Sequence, residues 1–230
     1  HFTDPNPPDR DSLELWTSLT WLASHTSRIE FGPMVTPFSF RDPVFTARIG
    51  KDVNELSEGR LILGLGAGWQ VREHEMFNYP LDLEKGARFD RADEGVEVIY
   101  RLLRDQEPVN FSGRYYTVRE GILLPPPSQP GQPRILYGGT GEKRTLPLVA
   151  KFADEWNCVF TDYNRFAELN QKLDTLLAEQ GRSANSVRRS LMNGIVFGRD
   201  SAEVQRKLDA GAYGGGKDRP GVIIGTGEEV

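Results

Sequence analysis

Leu15, Trp16, Leu19, Leu22 and Ala23 recur at helical spacing behind Asp11 and Ser12, and residues 28–35 (RIEFGPMV) then read as a strand. The pairing repeats. Asp42 and Pro43 form an N-cap and first-turn pair for a helix with Phe45, Ile49, Val53 and Leu56 on one face, Gly59 ends it, and RLILGLG follows as a strand. Between about Tyr79 and Pro133 the alternation pauses. A helix carrying Phe89, Ala92, Val96, Ile99 and Leu103 leads to a hairpin, VNFSGRYYTV, turning at Ser112 and Gly113, and then to LLPPPSQPGQP. The alternation resumes with the strand RILYGG, a helix from about Arg144, and the strand EWNCVF. A helix with Phe166, Leu169, Leu173 and Leu176 closed by Gly181, then the strand LMNGIVFG, complete it, and Asp200 and Glu203 frame one more helix start.

About five strands that are apolar on both faces, alternating with amphipathic helices, predict a parallel sheet covered by helices: an open doubly wound sheet or a closed (β/α)8 barrel. The 230 residues suit one domain over 1–230, with a hairpin-containing insertion at about 106–133. A complete barrel averages about 250 residues, so a chain this size with five strands is expected to lack strands at both ends. The abrupt start in HFTDPNPPDR, and a close on GTGEEV where Thr226 reads as an N-cap ahead of Glu228 and Glu229, suggest a piece of a longer protein.

Charge narrows the partners. With 28 Lys and Arg against 33 Asp and Glu, a formal charge of -5, the chain is a poor candidate for nucleic acid or an anionic membrane surface. No stretch approaches the roughly 18–20 apolar residues of a membrane span. The single cysteine, Cys158, falls in an apolar strand where it packs as a small hydrophobe, which suits a reducing cytoplasm.

In parallel α/β folds ligands sit beyond the carboxyl ends of the strands, so the residues just after each strand carry the chemistry. After RILYGG, the glycines 138, 139 and 141 allow close backbone approach and the next helix offers free N–H groups, a setting for phosphate that Lys143, Arg144 and Thr145 would reinforce; a plain tight turn is the alternative. Gly64, Gly66 and Gly68 resemble a dinucleotide fingerprint, but Trp69 occupies the third glycine position and no suitable helix is expected to follow. They are read instead as clearing space for a flat ring beside Trp69, or as admitting close packing. The break at Pro33, Thr36 and Pro37 predicts a bulge at a strand end. His1 stands alone at the start of the chain, and His25 and His74 have no metal-ligand spacing, so no metal site is expected.

Taken together, TSRIEFGPMVTPFSFRDP, LSEGRLILGLGAGWQVREHEMFNYP, GARFDRADEGVEVI, FSGRYYTV, PRILYGGTGEKRTLPLVAKFADEWN and GTGEEV resemble the luciferase-like monooxygenase superfamily, in particular its F420-dependent oxidoreductases. The resemblance implies a (β/α)8 TIM barrel of the bacterial luciferase-like type, lacking here its first two strands and last strand, that binds F420, or FMN in sister enzymes. It implies that His1 is the histidine closing strand two, touching cofactor and serving proton transfer, with Glu73 a second catalytic candidate. It implies a non-prolyl cis peptide at Met34–Val35 backing the ring with Thr36, the second glycine run with Gly66, Gly68 and Trp69 beside it, and the phosphate at Gly138, Gly139, Thr140, Gly141 and Lys143. Trp69 stands where the sugar-phosphate dehydrogenases of the family carry a catalytic glutamate, so glucose 6-phosphate oxidation is not implied. The expected activity is hydride transfer between F420 and a small organic substrate. The alternatives are an FMN-dependent monooxygenase, a non-catalytic flavin-binding relative, and a plain phosphate-binding barrel. A homodimer is the assembly common among such proteins.

Overall fold

The computed structural model describes residues 11–81, 84, 86–212 and 221–228. In chain order its elements are α1 (Leu15–His25), β1 (Thr36–Pro37), α2 (Pro43–Leu56), β2 (Ile62–Gly66), α3 (Val71–Phe77), α4 (Ala87–Arg104), the hairpin β3 (Val109–Ser112) and β4 (Thr117–Gly121), and β5 (Arg134–Gly138). There follow α5 (Thr145–Phe152), β6 (Glu155–Val159), α6 (Tyr163–Glu179), β7 (Arg188–Met192), β8 (Gly194–Phe197), α7 (Ser201–Asp209) and β9 (Val222–Gly225). The helix starts obey the sequence. The carboxylates of Asp42, Asp162 and Asp200 accept from backbone N–H groups in the first turns of α2, α6 and α7.

The main sheet has the order β1-β2-β5-β6-β7, and every pair in it is parallel. Each strand lies beside the next in sequence, the hairpin aside, and nowhere does the order reverse as it must in a doubly wound sheet. This is the order of a (β/α) barrel wall. LMNGIVFG, expected as one strand, is two: the chain pairs with β6 up to Met192, breaks at Asn193, and from Gly194 pairs in parallel with β9. The first strand is also shorter than its apolar run, reduced to a bridge between Phe31 and Leu61 and the two residues Thr36 and Pro37. A helix, α3, follows the glycines of β2, but it is seven residues long and has no side-chain cap, so it is not of the kind that receives a pyrophosphate.

Alternation assigns the strand faces. Leu63 and Leu65 of β2, Ile135 and Tyr137 of β5, and Trp156 and Cys158 of β6 join the helices in one buried core. Burial pushes the Cys158 thiol up to about 11, so it remains a thiol packed among apolar groups. The intervening residues face the barrel interior. There, Glu30 and Glu155 meet Arg134 and Arg188 at the N-terminal end of the wall: Arg134 pairs with both carboxylates, and Arg188 reaches Glu30 at 3.1 Å.

One helix presents a different face from the one expected. In α2, Phe45 and Leu56 are exposed, and Ala47, Gly50, Val53 and Asn54 are buried. The cause is the close approach of α2 to β2: a Cβ at Gly50 would already stand 3.2 Å from a Leu63 methyl, so small residues face the sheet and the large ones turn away. Lys51 is buried there by donating to the Pro125 carbonyl at 3.0 Å. Among the described residues no helix is long and apolar enough to cross a membrane.

The hairpin is fastened to the barrel by the burial of Val109 and Val118 in the core, by Arg101 donating to the Asn110 carbonyl at 3.0 Å, and by Glu94 at its tip. The Glu94 carboxylate on α4 accepts from the N–H groups of Arg114, Tyr115 and Tyr116, at 2.8, 2.8 and 3.2 Å. Replacing Glu94 by Ala is expected to cost about 1.5–3 kcal/mol, the range for hydrogen bonds to a charged group, with Glu94→Gln costing less. Urea denaturation measures both, and equal stability of the Ala variant and the parent would show that the hairpin is held by something else.

Candidate functional site

Four strand ends gather at the carboxyl side of the wall. On the first, the chain advances from Phe31 to Thr36 while its neighbour advances only from Leu61 to Leu65, so β1 is entered through a one-residue bulge. The Met34–Val35 peptide within it is cis. The bulge turns Val35 inward, and the glycines of β2 and β5 are what admit it. A Cβ on Gly66 would lie 2.3 Å from a Val35 methyl, one on Gly138 3.1 Å from the other methyl, and one on Gly64 1.9 Å from the Pro33 carbonyl oxygen. The space at Gly64 and Gly66 is therefore filled by the neighbouring strand rather than left clear for a ring. A ring could only lie against the surface that Val35 completes. Met34 is exposed, and Thr36 is buried with its hydroxyl lacking a hydrogen-bond partner among the described residues.

Beyond β2, Gly68 at φ +82° brings the turn against Pro37 and Ser39, and Trp69 stands more than half exposed beside it. On α3, His74 is a structural histidine: its ring bonds the Gln70 carbonyl at 2.6 Å and the Ser39 hydroxyl at 2.7 Å, and it packs on Phe40. Glu73 is fully buried in the same helix. His1 lies outside the described residues.

The end of β5 holds the most elaborate turn. Gly139, at φ +140°, donates its N–H to the Asn157 carbonyl at 3.0 Å and accepts the Trp156 indole N–H at 2.8 Å, so its amide is committed to β6. The N–H groups of Thr140, Gly141 and Lys143, by contrast, donate to no carbonyl among the described residues. The Thr145 hydroxyl at the start of α5 sits 3.0 and 3.2 Å from where a Cβ of Gly139 or Gly141 would be, so a side chain at either position would crowd it, and at Gly139 the φ of +140° would strain it as well.

Three charged side chains follow in the loop and they differ in employment. The Glu142 carboxylate is held by Lys172 and Arg165 of α6, whose hydrogen bonds lower its pKa to about 2. Arg144 reaches back to α4, to Asp90 at 2.6 Å and Asp93 at 3.0 Å. Lys143 is exposed, and among the described residues it has no carboxylate partner. The result is a short run of unbonded amides, the N-terminus of α5 and one uncommitted ammonium, a set suited to an anion such as phosphate. Among the described residues no group of histidines, cysteines and carboxylates could hold a metal.

The luciferase-like monooxygenase family model matches residues 1–223. The chain belongs to this family. It is 28% identical over 202 residues to a phthiodiolone/phenolphthiodiolone dimycocerosates ketoreductase of Mycobacterium kansasii, an overlap of 86% of this chain and 53% of that protein. To the pyrimidine monooxygenase RutA of Agrobacterium fabrum it is 29% identical over 181 residues, 76% of this chain and 48% of that one. Its fold matches the coenzyme F420-dependent tetrahydromethanopterin reductase from Methanopyrus kandleri with a TM-score of 0.72 at 21% identity, covering 86% of this chain and 60% of that one. The chain spans about half the length of the curated relatives it matches. The relatives it is similar to are, by name, a ketoreductase, a monooxygenase and a coenzyme F420-dependent reductase.

Sequence reasoning located the bulge and the β5 turn but missed the tethers. Asp90 and Asp93 are 54 and 51 residues from Arg144, and nothing in their spacing announces the contact.

Two outcomes follow from this geometry. Gly66→Ala is expected to destabilise the protein by about 1–3 kcal/mol through overpacking against Val35, and adding Val35→Ala should recover part of that loss. A denaturation cycle on the two single variants and the double variant reads it, and strict additivity would refute the contact. The folded pKa of Glu142 lies below its unfolded value of 4.5, so the tether is fully present above about pH 4.5 and lost as pH falls through about 2. A carboxyl NMR titration with Glu142→Gln for assignment should show that low midpoint, moving upward in high salt because the pair is exposed; a midpoint above 4 in low salt would show the tether absent.

Proposed function

We propose that this chain belongs to an oxidoreductase that transfers a hydride between F420 and a small organic substrate. The observation that supports it above the others is the turn from Gly138 to Thr145, where unbonded amides and Lys143 face the carboxyl end of the strand in the middle of the wall. The cofactor phosphate would be held by the N–H groups of Thr140, Gly141 and Lys143 and by the Lys143 ammonium, with Gly138 and Gly139 shaping the turn. Met34, Val35 and Thr36 would form the back of the ring site, and Gly66, Gly68 and Trp69 its flank on the β2 side.

F420, when bound, supplies the hydride chemistry; the chain's own residues supply position and protons. The half-buried Val35 would lend an apolar surface to one side of the site, and Trp69 offers an apolar wall for a substrate on the other. His1 would carry the proton to or from the substrate, since imidazole titrates near neutrality. Glu73, the weaker second candidate, is fully buried on α3, the helix that follows the carboxyl end of β2. The reductase and ketoreductase named among the relatives support hydride transfer, the pyrimidine monooxygenase supports the competing oxygen chemistry, and a structural neighbour solved with modified FMN makes FMN the competing cofactor.

Titrating the full-length protein with F420 and with FMN, followed by fluorescence, tests this directly. F420 is expected to bind more tightly, and Lys143→Ala should weaken it by about tenfold, as loss of one charge-assisted hydrogen bond predicts. Reduced F420 should then be oxidised by an enone, imine or quinone. Binding of FMN with F420 ignored, or oxygen consumption in place of hydride transfer, would overturn the assignment.

A further inference from the structure

Phe160, the first residue beyond β6, stands in the left-handed region at φ +46°. Bulky side chains rarely adopt that backbone, and where they do it is often because a side chain must be aimed at a ligand. Here the backbone is pinned from two directions. The Phe160 N–H donates to the Met192 carbonyl at 2.9 Å, and Gly221 lies so close that a Cβ on it would stand 2.4 Å from the Phe160 Cα. The Phe160 ring is nevertheless more than half exposed, so a strained backbone holds an aromatic side chain in the open and not in the core.

That ring belongs to an apolar rim. Only β5 separates β6 from β2, two strand spacings or about 10 Å, so Phe160 and the exposed Trp69 stand on either side of the β5 turn. Met192, paired with Val159 at the end of β7, alternates with Leu191, which packs on the core, and is exposed toward the interior. Of the residues that directly follow these three strands, 67–70, 160–162 and 193, only Asp162 is charged. Its carboxylate is occupied in capping α6, where it accepts the Arg165 N–H at 2.8 Å. In the intervening β5 turn, Glu142 is tied to α6 and Arg144 to α4, which leaves the Lys143 ammonium for the cofactor phosphate. Single exposed apolar side chains need no explanation, but several on neighbouring strand ends around a site form a surface for an apolar ligand.

We infer that this rim grips the substrate, and that the substrate is an uncharged molecule with an extended hydrocarbon part. The inference rests on the F420 reading. The reducible group would lie at the cofactor ring, and the hydrocarbon would run between Trp69 on one side and Phe160 and Met192 on the other, each methylene leaving water as it enters. A carboxylate or phosphate on that part of the substrate would be desolvated with only the Lys143 ammonium near, and that group is engaged by the cofactor. Phe160 is in this account a specificity-determining residue, and its left-handed backbone is what sets its ring at the opening.

The test uses the full-length protein with F420 and a series of cyclic enones carrying a straight alkyl chain, from methyl to hexyl, beside one whose chain ends in a carboxylate. In turnover the enone gains a hydride from reduced F420 at its β-carbon and a proton at its α-carbon, giving the saturated ketone and oxidised F420. Equilibrium dialysis of the saturated ketones against the protein with oxidised F420 reads binding without turnover. Affinity and kcat/KM are expected to rise about two- to fourfold per methylene, with the carboxylate at least about tenfold weaker than the hexyl compound. Phe160→Leu should keep most of the gain per methylene and Phe160→Ala lose most of it. Phe160→Gly, which suits the left-handed backbone, should lose the gain and yet melt at or above the temperature of the parent. A parent that shows no gain with chain length or binds the carboxylate as well as the hexyl compound, an unaltered gain in Phe160→Ala, or a Phe160→Gly protein melting well below the parent would overturn this inference and leave the F420 assignment standing. Failure of F420 to bind would remove the assignment and this inference with it.

Discussion

Nothing larger than hydrogen fits on Gly64 or Gly66, because the Pro33 carbonyl and the Val35 isopropyl group stand where a Cβ would be. This intimate contact between the bulged first strand and β2 sets the rest of the site. It allows one strand to carry an extra residue without leaving the sheet, since pairing resumes at Thr36 with Leu65. It also brings Val35 against Gly138, so three adjacent strands meet around a single side chain. The end of β5 is thereby held from one side by Val35 and from the other by β6, which engages both the N–H and the carbonyl of Gly139. Only beyond that point is the backbone released from the sheet.

Why the released segment should be a binding loop and not merely a connection is an electrostatic matter. Unpaired charges beside exposed amides would compete with a ligand or repel it, and here most are paired elsewhere. Glu142, which would oppose an anion, is neutralised by Arg165 and Lys172; Arg144 is drawn away to α4 by Asp90 and Asp93. Lys143 alone among the three consecutive charged residues keeps its charge uncommitted among the described residues. The loop thus combines free donors with a local excess of positive charge supplied by one side chain and a helix N-terminus.

Much of this was legible in the pattern of residues. Helix caps at Asp42 and Asp200 are local chemistry and were readable as such, and so were the apolar periods of α4 and α6. The monotonic strand order that decides for a barrel was not, because periodicity reports which residues form strands and is silent on which strand lies beside which. The outward turn of Phe45 and Leu56 escaped for a related reason: a helical stripe of large apolar residues ordinarily marks the core face, and only the distance between α2 and β2 reverses it. At the site, the glycines of β2 announced that something must approach closely, yet the approaching group, Val35, comes from a strand some thirty residues earlier. The charge tethers of the β5 loop, between 23 and 51 residues apart for Glu142–Arg165 and Arg144–Asp93, likewise left no trace in local spacing.

The tethers bear on affinity through the state of the loop before anything binds. An isolated glycine-rich turn would lose conformational freedom on closing around an anion, and that loss subtracts from whatever the contacts contribute. Here Glu142 fixes the loop to α6 and Arg144 fixes it to α4, on opposite sides of Lys143, while the Thr145 hydroxyl fills the hollow beneath Gly139 and Gly141. Surface ion pairs of this kind contribute little to global stability. Their consequence is local: attachments at Glu142 and Arg144, beside the amides of Thr140 and Gly141 and on either side of that of Lys143, leave those amides already oriented, so an arriving phosphate meets donors in place and is not required to assemble them.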